Sequence, residues 1–153
     1  MSVLLLGEAG ADPGVRALAM SVAASQRGQS EELRRWLLGR GRPVPAPSDA
    51  ASRDGGEGGE GGMATAKQLR ALGRADAATA ERLYLQLMVR HHRGAVVAAR
   101  QEISRGQDAT LIDVARRLVQ TSNAQLEALR EAETAMPPPI PGLTPPSGRV
   151  TSG

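Results

Sequence analysis

Apolar residues recur at helical spacing along three long stretches of the chain, and each stretch opens with an aspartate. The first begins at Asp12, which is suited to cap a helix whose first position is Pro13. Its apolar positions keep the i, i+3, i+4, i+7 period until Gly39, and they are Val15, Leu18, Ala19, Val22, Leu33, Trp36 and Leu37. The other two helices are expected to start after Asp76 and Asp108. The pattern therefore predicts an all-α protein.

The predicted helices fall into two blocks that a glycine- and proline-rich segment separates. Residues 1–40 form the first block, and residues 41–62, with their run of glycines and glutamates, are predicted to be a flexible linker. The second block covers residues 63–135 and opens with a short helix that a capping box at Thr65 would begin. The proline-rich residues 136–153 cannot continue a helix and are expected to be disordered.

The two long helices that open at Asp12 and Asp108 are copies of each other. Aligning the two aspartates superposes the pairs Ala19/Ala115, Val22/Leu118, Gln26/Ser122, Gln29/Gln125 and Leu33/Leu129. Each copy therefore has two polar positions, three residues apart, inside an otherwise apolar stripe. Buried polar groups need hydrogen-bonding partners, so something polar must lie opposite them. In the second copy, the preceding helix with the histidines is the expected neighbour.

The only two histidines of the chain, His91 and His92, lie side by side one helical turn after Met88. On a helix, Met88 shares a side with both of them. Imidazole and thioether groups are ligands that copper favours, and imidazole also suits zinc or nickel. The alternative is a structural role, in which one histidine hydrogen-bonds Ser122 or Gln125 at the helix interface while the other faces solvent. Met88 would then be an ordinary core residue.

The composition restricts the possible functions further. The chain has no cysteine, so disulfides, thiolate zinc sites and iron–sulfur clusters are excluded. Its net charge is only +3, and acidic and basic residues are interleaved, which does not predict nucleic-acid binding. No segment is apolar enough to span a membrane, and no signal peptide is recognisable.

The residues around the histidines do not predict an enzyme. Di-metal enzymes of the ferritin-like type need a glutamate three residues before a histidine on paired helices. The residues at those positions before His91 and His92 are Met88 and Val89. Two adjacent histidines without any cysteine also provide no Cys/His or Ser/His/Asp arrangement for nucleophilic catalysis.

Two stretches, Thr65–Leu69 and Leu83–Val96, resemble a bacterial family that is catalogued as domain of unknown function three hundred and five. The family pattern M-x-x-H-H-x-x-A-[IV], followed by a helix with Q-x-x-E, is matched from about Met63 to Glu133, and Val15–Leu37 resembles the second helix of the first copy. The resemblance implies a ferritin-like, up-down helical bundle built from two helix-pair repeats. It also implies frequent export and, in some members, copper or silver binding through His and Met.

The sequence departs from the family pattern around the histidine pair. The positions of the family's next methionine, its glutamine, its acid and its last methionine hold Ala98, Ser122, Gln125 and Leu129. Of the soft ligands that the resemblance implies, Met88, His91 and His92 remain. A degenerate metal site is therefore expected.

The resemblance implies that the first repeat lacks most of its histidine-bearing helix, since Met1–Leu6 resembles only the end of such a helix. We hypothesise that the native gene encodes an upstream helix with a second histidine pair, preceded by an export signal. The protein would then be extracytoplasmic, whereas it would be cytoplasmic if Met1 is the true start. The open stripe of the helix that starts at Asp12 predicts a homo-oligomer or a missing N-terminal segment that covers it.

The sequence thus predicts a non-catalytic protein that binds a metal ion of the copper or silver type for sequestration or tolerance. The predicted ligands are His91, His92 and Met88, and copper is expected as Cu(I) or Cu(II). The alternative is a structural or oligomerising helical bundle that no longer binds metal.

Overall fold

The computed structural model of the chain describes residues 1–7, 10–45 and 60–137. This part contains no β-strand and consists of α1 (Ser2–Leu6), α2 (Pro13–Gly39), a 3-10 turn (Glu60–Gly62), α3 (Ala66–Leu72), α4 (Ala77–Arg105) and α5 (Ala109–Ala135). The all-α bundle predicted from the sequence is confirmed for these residues. Residues 46–59 of the predicted linker and 138–153 of the predicted tail lie outside the described part.

The helix starts predicted from capping residues are confirmed. Asp12 accepts hydrogen bonds from the first backbone N–H groups of α2, Asp76 does so for α4, and Asp108 does so for α5. Thr65 and Gln68 form the predicted capping box of α3, in which each side chain accepts from the backbone N–H of the other. These caps satisfy backbone donors that the helices cannot pair internally.

The core lies between the α4–α5 hairpin and the α1–α2 pair. A short connection joins α4 to α5, and the two helices pack antiparallel along their length. α1 contacts both α2 and α4, and α2 contacts α5. The largest fully buried side chains are aliphatic except for one tyrosine, and they are Leu5, Val22, Leu72, Tyr84, Leu85, Met88 and Leu129.

Burial agrees for some equivalent residues of the predicted repeat and differs for others, since Val22 is buried and its counterpart Leu118 is half-buried. Ala19 of α2 and its counterpart Ala115 of α5 are both buried. Ser122, which is one of the two predicted inward polar positions of α5, is buried as well. The other position, Gln125, forms a hydrogen bond with His92 of α4. The expectation that the polar positions of α5 face the histidine-bearing helix is therefore confirmed for Gln125.

The end of the predicted linker is ordered against the bundle. Glu60–Gly62 form a turn that packs on α4, with Gly61 and Gly62 at φ values of 63° and 83°. Glycine adopts this left-handed region without the steric penalty that other residues incur. A segment whose composition predicts flexibility therefore ends in a defined contact, and this contact falls next to the histidines.

α2 leaves part of its apolar surface uncovered. Its first half is buried at Val15, Ala19 and Val22, whereas Met20 and Leu38 are 60% and 52% exposed. The homo-oligomer predicted from this stripe stays a prediction. None of the described helices is both long and apolar enough to cross a membrane.

Candidate metal centre

His92 lies at the interface of α4 and α5 with both ring nitrogens in contact with polar groups. The side chain is 2% exposed. Its Nδ1 lies 2.8 Å from the main-chain oxygen of Met88, one turn earlier on α4. Its Nε2 lies 2.9 Å from Oε1 of Gln125 on α5. One histidine bonded to Gln125 is the arrangement that the structural alternative predicts.

The two contacts of His92 limit how its ring protons can be arranged. Because Nδ1 faces a carbonyl, the neutral ring carries its proton there, and Nε2 holds the lone pair. Two arrangements satisfy both nitrogens. The ring is doubly protonated and donates to both oxygens, or it is neutral and the amide of Gln125 turns its NH₂ group toward Nε2. In either case Gln125 occupies the nitrogen that a metal ion would use.

His91 has a different environment, although it is the next residue. It is half-buried rather than solvent-facing, so this part of the structural alternative is wrong. Its Nδ1 is buried and has no hydrogen-bonding partner within the described residues. Burial lowers the pKa of His91 below its usual value of 6.5, and the electrostatic effects of His92 and of the N-terminal amine lower it further. His91 is therefore a neutral imidazole with one unsatisfied nitrogen.

The two imidazole rings lie close together but do not point the same way. Their centroids are 5.7 Å apart and their planes are perpendicular. Met88, the third predicted ligand, is in the core and only 1% exposed. Its main-chain oxygen orients the ring of His92, and its side chain belongs to the main apolar cluster. The structure thus brings the three predicted residues to one stretch of α4.

Ala98 and Leu129 occupy two positions where the resemblance described above predicts methionine. Ala98 is exposed on α4, whereas Leu129 is completely buried in the core. Neither side chain has an atom that can bind a metal ion. Across the described ranges, no group of three or more His, Cys, Asp or Glu side chains is placed to hold a metal ion.

The glycine-rich turn and Arg90 form the outer side of this region, and sequence reasoning did not identify either. A Cβ atom on Gly94 would overlap the main-chain oxygen of Gly61, and one on Gly62 would overlap that of Arg90. Nη2 of Arg90 donates to the main-chain oxygen of Met63 at 2.8 Å. A glycine in the interior of a helix is the signal that could have revealed this close approach, because it is otherwise unfavourable there.

Arg90 also forms a hydrogen bond with α3, but one of its side-chain nitrogens has no hydrogen-bonding partner in the described part of the chain. Nη2 lies 2.8 Å from Oε1 of Gln68, the residue that completes the capping box. Nε is buried without a hydrogen-bonding partner in the described part of the chain. Two neighbouring residues, Arg90 and His91, therefore each bury one unpaired nitrogen at the same place on α4.

The fold and the site define a bundle of paired α-helices that carries two adjacent histidines on one long helix. The chain belongs to the DUF305 family, a domain of unknown function, whose sequence profile matches residues 1–133. The family predicted from the sequence is therefore confirmed.

Two solved structures of the family are similar to the chain. A DUF305 fragment from Deinococcus radiodurans is 25% identical, with a TM-score of 0.73 over 87% of this chain and 83% of that one. A DUF305 protein from Streptomyces coelicolor, whose name describes it as secreted, is 29% identical, with a TM-score of 0.72 over 85% of this chain and 78% of that one. A comparison with curated proteins gives no match.

Proposed function

We propose that this DUF305 protein binds a soft monovalent metal ion, Cu(I) or Ag(I), at His91 and His92 without catalysing a reaction. The observation that carries the proposal is the buried, unpaired Nδ1 of His91. A polar nitrogen that is buried without a partner destabilises a fold by about 1–3 kcal/mol. A metal ion bound to this nitrogen would remove that penalty. The neutral state of the imidazole, which its lowered pKa favours, is the state that binds metals.

His92 would provide the second imidazole. Histidines that bind metals usually donate their other ring N–H to a carbonyl or carboxylate, which fixes the ring and its tautomer. The contact between Nδ1 of His92 and the main-chain oxygen of Met88 has this form. Nε2 would become available once Gln125 moves away, and this exchange makes Gln125 a competitor of the metal ion.

The choice of ion follows from the kinds of donors near the pair. Imidazole and thioether groups suit Cu(I), whereas zinc in proteins takes a tetrahedral set of ligands that commonly includes thiolates or carboxylates. The described residues provide no such cluster around the histidines. Met88 is the nearest thioether in sequence, and we propose it as the third ligand.

A role in sequestration or tolerance fits such a site better than catalysis. No glutamate lies three residues before either histidine, so the acid–base and bridging groups of di-metal enzymes are missing from this part of α4. The relative from Streptomyces coelicolor is described as secreted, and we propose that this chain also acts outside the cytoplasm. Metal ions reach that compartment before they reach the cell interior.

A structural bundle without metal is the second candidate, and the hydrogen bonds of His92 favour it. Both of its ring nitrogens are in contact with protein groups. A polar pair of this kind can fix the register of α4 against α5 without any bound ion. This candidate predicts that His91 has no ligand and that the free energy of unfolding of the protein does not change when copper or silver is added.

Competition for Cu(I) with a chromogenic chelator, under reducing conditions, separates the two candidates. We expect stoichiometric binding by the full chain. Removing the imidazole in His91→Ala should weaken Cu(I) binding by more than roughly 10–100-fold. A loss of that size is typical when a residue that only orients a metal ligand is replaced. His92→Ala should also weaken it. Circular dichroism checks that each variant remains folded.

Met88→Leu tests the thioether, with Met20→Leu as the matched control. Met20 is 60% exposed on α2, so its replacement should not change Cu(I) affinity. Weaker binding by Met88→Leu alone would support a third ligand. Absence of Cu(I) and Ag(I) binding by the unaltered chain would refute the proposed function and favour the structural candidate.

A further inference from the structure

We infer that the outer surface of α3 and α4 binds the surface of an anionic lipid membrane. The surface combines basic side chains that lack ion-pair partners with exposed apolar side chains, and it lies apart from the interface of α4 with α5. We call it the basic face, and its charged members are Lys67, Arg70, Arg74, Arg82, Arg90, Arg93 and Arg100. The inference does not depend on whether the protein binds a metal ion.

The basic face collects positive charge that the fold does not neutralise. Residues 61–75 and 82–101 contain its seven bases and no acid. Of the two acids between these stretches, Asp76 caps α4, and Glu81 is 8% exposed and accepts from the backbone N–H of Asp12. The ion pairs found among the described residues use other bases, and they are Arg40–Asp108, Arg116–Asp113 and Arg117–Glu32.

The four arginines of α4 lie on one side of the helix. At 3.6 residues per turn they fall within a sector of about 80°, which points away from the core-facing side that contains Met88 and His92. Arg93 and Arg100 are exposed, and Arg82 and Arg90 are half-buried. The hydrogen bonds of the last two go to neutral oxygens, which are the main-chain oxygens of Pro137 and Met63 and the amide oxygen of Gln68.

α3 adds its three bases to the same surface. They are exposed, and helical spacing places them within a sector of about 60°. A cavity of about 250 Å³ opens between α3 and α4, and it is lined by Gln68, Ala71, Leu83, Gln86, Leu87 and Arg90. Ala71 lies one turn from Lys67 and from Arg74, and Gln86 lies one turn from Arg82 and from Arg90. The bases of both helices therefore flank the cavity.

Exposed apolar side chains lie among these bases. Val97 is 58% exposed and falls inside the arginine sector of α4. Met63 is 45% exposed, and its main-chain oxygen accepts from Arg90. Leu4 is 39% exposed, and its Cδ2 would lie 3.6 Å from a Cβ atom on Gly73, at the end of α3. Apolar side chains beside basic ones are suited to enter the boundary between lipid headgroups and acyl chains.

This combination favours an anionic membrane over a nucleic acid as the partner. Clusters of about four to eight Lys or Arg residues are typical of surfaces that bind anionic lipids, and each base near such a membrane strengthens binding roughly fivefold. Proteins that bind single-stranded nucleic acids without sequence preference stack bases on aromatic side chains. The two aromatic residues of the chain, Trp36 and Tyr84, are not in the stretches 61–75 and 85–101, and Tyr84 is completely buried.

Co-sedimentation with vesicles tests the inference on the full chain without metal. We expect binding to vesicles of phosphatidylglycerol and phosphatidylcholine in equal parts, no binding to pure phosphatidylcholine, and weaker binding as the salt concentration rises. Arg93→Gln/Arg100→Gln should weaken binding by about 25-fold. The matched control is Arg27→Gln/Arg34→Gln, which removes the same charge from two exposed positions of α2 and should leave binding nearly unchanged. Equal losses in the two variants would overturn the basic face.

Val97→Ser tests the apolar part of the contact, with Met20→Ser as its control because Met20 is 60% exposed on α2. Val97→Ser alone should weaken binding to the anionic vesicles by roughly threefold to tenfold, and an unchanged affinity would overturn the insertion of Val97. A chain that binds a DNA duplex but not the anionic vesicles would overturn the choice of partner. Because no metal ion enters these measurements, their outcome and that of the Cu(I) competition are independent.

Discussion

Asp108→Ala should destabilise the protein more than the removal of an ordinary helix cap. Asp108 caps α5 by accepting from the backbone N–H of Leu111 at 2.9 Å. The same carboxylate accepts from Nε1 of Trp36 at 3.1 Å and forms an ion pair with Arg40. Trp36 lies near the end of α2, and Arg40 directly follows this helix. The substitution therefore removes a cap and also a link between the two halves of the bundle.

The expected magnitude follows from the three contacts. Loss of an aspartate cap costs about 1 kcal/mol. Loss of the indole hydrogen bond adds roughly 0.5–1.5 kcal/mol. The ion pair adds at most a few tenths of a kcal/mol, since the side chains of Arg40 and Asp108 are 44% and 24% exposed and solvent screens the pair. We therefore expect a fall of about 1.5–3 kcal/mol in the free energy of unfolding.

Asp12→Ala is the matched control, because Asp12 is the equivalent residue of the repeat. Its carboxylate accepts from the backbone N–H groups of Gly14 and Val15 and caps α2. Its replacement should cost only about 1 kcal/mol. Urea unfolding followed by circular dichroism measures both variants, and the fluorescence of Trp36, the single tryptophan of the chain, reports on the link itself. Equal losses for the two variants would refute a stabilising link between α2 and α5.

Two further predictions concern titration and the buried tyrosine. Because the pKa of His91 is lowered in the folded state, the unfolded chain takes up a proton more readily, and stability should fall as the pH drops below the usual value of 6.5. His91→Gln should weaken this dependence in urea unfolding series, and an unchanged slope would contradict it. Tyr84→Phe should cost about 1 kcal/mol, because the hydroxyl of Tyr84 lies 3.2 Å from Oγ of the buried Ser2. Thermal unfolding at one pH checks this value, and an unchanged midpoint would show that the contact does not stabilise α1.

Local signals in the sequence were sufficient to place the helices. Asp12, Asp76 and Asp108 begin helices because their side chains satisfy N–H groups within the next few residues, and this requires no knowledge of the rest of the fold. The pairing of His92 with Gln125 could be predicted from the sequence for a related reason. An inward polar position on one helix needs a partner, and the internal repeat indicated which positions face inward.

The environment of His91 could not be predicted in the same way. The main chain of α4 beside His91 packs against a glycine-rich turn that is distant in sequence, and such a composition predicts flexibility rather than a contact. Gly94 was the one local sign, since glycine inside a helix is about 1 kcal/mol less favourable than alanine. The link between Trp36 and Asp108 was also missed, because it depends on how α2 lies beside α5.

The imidazole ¹⁵N spectrum of the full chain during titration with Ag(I) tests the proposed site most directly. The chain has two histidines, so single-histidine variants assign every signal. We predict that the Nδ1 signal of His91 shifts as the first equivalent is added and that the Nε2 signal of His92 changes as Gln125 is displaced. Imidazole signals that stay unchanged beyond one equivalent would contradict metal binding at this pair.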